Sequence, residues 1–225
     1  MMHGNKPTLE TNRTDIVASA ARGIAGACPV IGGIVAEAID YIIPRQKFDR
    51  VIEFLKILDQ NISELDDKIS NLEKNLSKED GIDLLEEGIV QASRAISEER
   101  RNRLANLLSK SLSQEKLKYN ESKKLLNLLR ELTDPELLWL AFYSKPPTIG
   151  SKYHTRLMEK YPDVLQPASR TIGVSQEEID RGALQDSYKN TLVRLGLLEQ
   201  RDSSYNLTSL GHLLIRYIEK DNNDE

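Results

Sequence analysis

From Phe48 the chain sets down an apolar residue at alternating steps of three and four: Phe48, Val51, Leu55, Leu58, Ile62, Leu65, Ile69, Leu72 and Leu76. Only an α-helix gathers such a series onto one face. The spacing therefore predicts one long helix over 45–77, opened by Pro44 and closed by the polar run Ser77-Lys78-Glu79-Asp80-Gly81. Burying these side chains yields about 1.5–3 kcal/mol each, which does not offset roughly 1–2 kcal/mol of backbone entropy for every residue ordered. The helix needs partners, and the same chain supplies them. Ile82, Leu85, Ile89, Ala92 and Ile96 repeat the pattern, followed by Leu104, Leu107, Leu108 and Leu112, and then by Leu125, Leu126, Leu129 and Leu132. Thr133-Asp-Pro-Glu136 reads as a capping box with proline in the first turn, opening a helix that carries Leu137, Leu138, Trp139 and Leu140. The long stripe contains no polar residue that would set a coiled-coil register, which favours an intramolecular antiparallel helical bundle over 45–144 rather than a dimer seam.

The loop SKPPTIGSK marks a boundary, beyond which residues 151–225 form a second unit. After Tyr161-Pro162 the text is irregular until Ser175-Gln-Glu-Glu178, read as another capping box, which starts a helix running to Gly196. Leu197–Arg201 and Tyr205–Leu207, separated by Asp202-Ser-Ser, read as a strand hairpin, and Thr208 caps a final helix. Leu192, Leu195, Leu198, Leu207 and Leu210 are the expected core of this unit. Helix, hairpin, helix is the closing half of a winged-helix domain. The expected fold class is thus mainly α: an antiparallel helical bundle with a small C-terminal winged-helix-like α+β domain.

Residues 1–44 differ in character, being Gly/Ala-rich and apolar around RGIAGACPVIGGIVAEAID. As helix, the uncharged stretch between Arg22 and Glu37 rises about 21 Å against a hydrocarbon core of roughly 30 Å. Pro29 and Gly32-Gly33 interrupt it, and lengthening it draws in Arg22, Glu37 and Asp40, so a constitutive membrane span is disfavoured. Two short helices turning at Cys28-Pro29 fit better. Gly23, Gly26, Pro29, Ile31, Gly32 and Gly33 then form a helical hairpin that either packs on the bundle as core or is held back for a membrane until a trigger opens the protein.

Chemistry is sparse. His3, His154 and His212 are far apart, with no cysteine or carboxylate at metal-ligand spacing, and no nucleophile elbow or phosphate-cradling loop follows a strand. No catalytic residue, cofactor or metal is expected, and an enzyme reading is set aside. The acidic pairs Asp66-Asp67, Glu86-Glu87 and Glu98-Glu99 point about a hundred degrees apart on a helix and read as solvated faces. The run Arg100-Arg101-Asn102-Arg103, with Arg94 before it, reads as ion pairs along a surface. With 31 basic and 35 acidic residues the chain is not built to hold nucleic acid by phosphate neutralisation alone. Residues 151–225 carry 10 basic against 12 acidic side chains. If this unit does touch nucleic acid, Arg181, Lys189, Arg194 and Arg201 are the residues for it, but the charge balance favours a packing or protein-contact role. A lone cysteine, Cys28, excludes an internal disulfide, and the N-terminus lacks the order of a secretory signal, so the cytoplasm is the expected location.

The passage AISEERRNRLANLLSKSLSQEKLKYNESKKLLNLLRELTDPELLWLAFYS, Ala95 to Ser144, resembles the abortive-infection family Abi-alpha and related bacterial proteins. The shared features are acidic and arginine residues before LANLL, a polar gap, and a leucine-rich helix closing on an L-x-x-x-E-L step. The ending LVRLGLLEQ with YNLTSLGHLLIRYI is similar to the one these proteins often carry, and to winged-helix regulators generally. The resemblance implies a bacterial protein of phage defence or a related stress response, and no active site. The expectation that follows is a non-enzymatic protein acting through contacts with a protein partner, with conditional membrane engagement by the N-terminal hairpin and room for self-association. The alternative is a winged-helix DNA-binding transcriptional regulator.

Overall fold

In a computed structural model of the chain, which describes residues 47–65, 68–146, 151–169, 171, 173–202 and 204–220, the long apolar stripe folds as two helices rather than one. Helix α1 (Phe48–Ser63) ends in a tightened turn, where Leu65 N–H donates to the Ile62 carbonyl (2.9 Å). Helix α2 (Ile69–Leu76) starts again after Lys68. Ser63 helps to end α1 by turning its hydroxyl onto the Gln60 carbonyl (2.8 Å), a local bond that competes with continuation. The break also lets Asn75 of α2 donate its amide to the carbonyls of Leu112 (2.9 Å) and Gln114 (2.8 Å), at the end of α4 (Glu98–Leu112). Those carbonyls lie where a helix runs out of its own donors. Accordingly Val51, Leu55, Leu58, Ile62, Leu72 and Leu76 are buried, while Leu65 and Ile69 beside the break are only half-buried.

Helix α3 (Glu79–Arg94) turns inward a face rotated from the expected one. Leu84, Leu85, Ile89 and Ala92 are buried, whereas Ile82 is 39% exposed and Ile96, beyond the helix end, is 82% exposed. Gly88 explains the rotation: a Cβ there would overlap Leu108 of α4, so the two helices approach through the missing side chain. Leu104, Leu107, Leu108 and Leu112 of α4 are all fully buried, as expected. Helices α1, α3 and α4 pack on one another, and α2 covers α3 and α4. Helix α5 (Tyr119–Glu131) is tied to α3 by Gln91 Nε2 donating to the Leu126 carbonyl (3.0 Å).

The chain divides into two compact units between Leu126 and Asn127, inside α5, not in the 144–151 loop. The division moves because α6 (Asp134–Phe142), expected in the bundle, packs on three C-terminal helices: α8 (Pro162–Leu165), α9 (Gln176–Arg194) and α10 (Ser209–Ile218). The capping box of α6 is formed in full, with Glu136 accepting from Thr133 N–H (2.6 Å) and the Thr133 hydroxyl oxygen accepting from Glu136 N–H (3.5 Å). Helix α7 (Lys152–Lys160) precedes α8, a single turn within the stretch expected to be irregular. Pro162 starts that turn, a position where its missing N–H has no helical partner to lose.

At Ser175 only half of the expected capping box forms. The serine oxygen accepts from Glu178 N–H (3.3 Å), but the Glu178 carboxylate turns to Ser169 N–H (2.8 Å) and to Arg181. Strands β1 (Leu198–Arg201) and β2 (Ser204–Leu207) pair antiparallel, Leu198 opposite Leu207 and Arg201 opposite Ser204. Gly196, at φ +72°, makes the left-handed turn out of α9 that a side chain would resist. The core of this unit holds Leu137, Leu140, Leu165, Leu192, Leu197, Leu198, Leu214 and Ile218. Leu195, Leu207 and Leu210, expected there, are half-buried, because α10 turns Leu214 and Ile218 inward and α6 supplies the remaining volume. Among the described residues the protein is therefore mostly helical, with one small antiparallel sheet near the C-terminus.

Candidate functional site

Helix α9 carries Arg181, Lys189 and Arg194, and the β1–β2 hairpin that follows it carries Arg201. Lys189 lies on the inward side of α9, its side chain 12% exposed. Its ammonium is 4.8 Å from the centre of the Trp139 ring and 5.7 Å from that of Tyr205, and 3.4 Å from the Asp186 carboxylate. Tyr143 stacks on Trp139 at 5.9 Å and meets Tyr205 at 5.7 Å. A cation over aromatic faces gains from the ring quadrupole, the more so when partly desolvated. Burial, then the charges of Tyr205 and Asp186, push the Tyr143 phenol up to about 12.

Arg181 pairs with Glu178 one turn before it, and Arg201 pairs with Glu199 (2.8 Å) across the same strand. Arg194, at the end of α9, is exposed like Arg201 but has no ion pair among the described residues. A duplex needs cations free to replace counterions on successive phosphates. Three of these four are already held by carboxylates or rings of the same unit. The aromatic set around Lys189 was not legible as a group, since Trp139, Tyr143 and Tyr205 come from distant segments; Tyr205 alone had a predicted place along the hairpin.

A second aromatic group surrounds His154, which is buried. Its Nε2 lies 3.0 Å from the Phe142 carbonyl and its Nδ1 2.8 Å from the Ser151 hydroxyl, and its ring meets those of Phe142 and Tyr153 edge to face. Both ring nitrogens thus have a hydrogen-bond partner, and the ring is packed between Phe142 and Tyr153.

In the first unit the arginine run behaves differently from a surface ladder. Arg101 is buried, donates Nη1 to the carbonyls of Ala95 and Ile96 (3.1 Å each) and places Nη2 2.8 Å from Glu53 on α1. It caps the end of α3 and joins three helices. The density of positive charge at 100–103 thus owes one member to the core. Asp83 of α3 accepts from Tyr119 (2.9 Å) and Lys123 (2.6 Å) of α5. Burial works to raise Asp83, but the hydrogen bonds from Lys123 and Tyr119 and the Lys123 charge outweigh it and hold the carboxyl below its usual range.

Among the described residues no group of histidine, cysteine and carboxylate side chains is placed to hold a metal ion. No described helix is long and apolar enough to cross a membrane. Gly23, Gly26, Pro29, Ile31, Gly32 and Gly33 lie outside the described residues, as do Asp66 and Asp67. No family model, curated protein or solved structure matches the chain. What the fold defines is a mainly helical protein of two compact units, the second bearing a helix, a two-stranded hairpin and a helix in succession.

Proposed function

We propose that this chain is a non-enzymatic bacterial protein of phage defence or stress response that acts through protein contacts, its C-terminal unit a winged-helix-like module kept for packing and partner binding. One observation carries the reading against nucleic acid: Arg181, Lys189 and Arg201 are held by Glu178, by Asp186 with Trp139 and Tyr205, and by Glu199. A phosphate would have to compete with these partners, little at the exposed Arg201–Glu199 pair and most at Lys189, whose side chain is 12% exposed beside two rings. The setting in defence or stress rests on the resemblance of residues 95–144 to the Abi-alpha family. Conditional membrane engagement is assigned to the N-terminal hairpin. The test is a pair of assays on the same full-length preparation: titration of a duplex DNA pool, and leakage of dye from vesicles of anionic lipid. Weak duplex binding supports the contact reading, and leakage that appears only after a trigger supports the hairpin's role.

The alternative is a winged-helix transcriptional regulator. The order α9, β1, β2, α10 and the exposure of Arg194 favour it. Submicromolar binding to one defined duplex at physiological salt would establish it in place of the first reading.

A further inference from the structure

The solvent side of α9 carries a second stripe, distinct from the inward one that holds Gln185 and Leu192. Glu177, Asp180, Leu184, Ser187, Thr191 and Arg194 recur at steps of three and four, and all are exposed except the half-buried Thr191. Leu184, at its centre, is 54% exposed, an unusual place for a leucine in a helix whose other side already has a core. Ala183 and Tyr188 border it. The charges are ordered: carboxylates at the N-terminal end, a guanidinium at the C-terminal end, and no charge between Asp180 and Arg194 on the stripe. Asp180 takes a hydrogen bond from Gln176 Nε2 (2.7 Å) and stays exposed.

We infer that this face pairs with the same face of a second copy of the chain, the two α9 helices running antiparallel about a twofold axis. That arrangement is the one the sequence of the stripe satisfies throughout. Leu184 of one copy then lies opposite Ser187 of the other, Asp180 opposite Thr191, and Glu177 opposite Arg194, over about 25 Å of helix. Antiparallel pairing also sets opposed helix dipoles side by side, and gives Arg194 a carboxylate. A parallel pair would instead stack Glu177 on Glu177 and Asp180 on Asp180, and like charges in contact are unfavourable. The small side chains at Ala183, Ser187 and Thr191 leave room for Leu184 to be covered. The inference rests on reading α9 as a contact helix rather than a DNA reader, because the pairing occupies Arg194, a candidate phosphate contact.

Sedimentation equilibrium of the full chain, from micromolar to several hundred micromolar protein, measures the pairing. The expected result is a reversible dimer that high salt weakens. Leu184→Glu should raise its dissociation constant by about tenfold or more. Arg194→Glu should weaken it too, and adding Glu177→Arg to that variant should restore it, a rescue that loss of folding cannot imitate. A monomer at every concentration, a dimer indifferent to Leu184→Glu, or a charge swap that fails to restore association would overturn the inference. Monomeric protein that also ignores duplex DNA removes only the self-pairing; tight duplex binding by the wild type removes the contact reading itself.

Discussion

The Lys189 ammonium sits 4.8 Å from the centre of the Trp139 ring, so a residue that the sequence offers as a phosphate contact instead joins α9 to α6. Lys189→Met keeps most of the stem's packing and removes the charge. It should lower stability by about 1–2 kcal/mol, the range for a partly desolvated cation over aromatic rings. Urea unfolding followed by the fluorescence of Trp139, the sole tryptophan, measures it. An unchanged midpoint would show that the ammonium contributes nothing there.

Much of the fold was legible because it depends on local chemistry. Thr133 and Glu136 form their reciprocal cap, and Thr208 accepts from Gly211 N–H (3.0 Å) to open α10, since both need only neighbours three residues away. Leu104, Leu107, Leu108 and Leu112 are buried where the period puts them. The break after Ser63 was not legible, because its benefit lies in Asn75 reaching the end of α4, some forty residues on. Nor was Arg101, whose charge reads as surface until the carbonyls of Ala95 and Ile96 are brought to it. Spacing cannot report partners that only tertiary folding supplies.

Two glycines should respond unequally to alanine. At Gly211 a Cβ would run into the Leu197 carbonyl oxygen as well as Leu207 Cγ, and the backbone cannot step aside without disturbing β1. At Gly88 the obstacle is the end of the Leu108 side chain, which can rotate. Gly211→Ala should therefore cost about 2–3 kcal/mol and Gly88→Ala about 1 kcal/mol, the second partly offset by better helix propensity. Thermal unfolding of the two variants ranks them; the reverse order would contradict the packing described.

Tyr143 should be a late tyrosine to ionise. Its phenol is pushed up to about 12, so folding favours the protonated form. The stabilisation is complete below the ordinary tyrosine value near pH 10 and disappears as pH rises through about 12. An alkaline ultraviolet titration should show a phenolate step beyond that of an exposed tyrosine, absent in Tyr143→Phe. A curve of the same shape in both proteins would contradict the burial of this ring.

Asp83 and Lys123 make an opposite prediction at acid pH. Asp83 is held below its usual range, so its contribution is present above about pH 4 and is lost as pH falls through the lowered value. Asp83→Asn should be less stable than wild type at neutral pH by under about 1 kcal/mol, as for a half-exposed pair. The difference should close on acidification. A gap that persisted at low pH would place the effect in packing rather than charge.

The salt dependence of duplex affinity tests the central claim, that the α9–hairpin face is built for protein contact. Fluorescence anisotropy of a labelled duplex, with the full chain titrated between about 50 and 200 mM salt, gives both the dissociation constant and the slope of its logarithm. Arg194 has no ion pair among the described residues and Arg201, exposed, is held only by Glu199, so the expected result is a constant no tighter than micromolar at physiological salt and a slope equivalent to about one or two phosphates. Submicromolar affinity with a slope of about six phosphates or more would contradict it, for that many phosphate contacts exceed the one or two expected of a face whose other cations are paired.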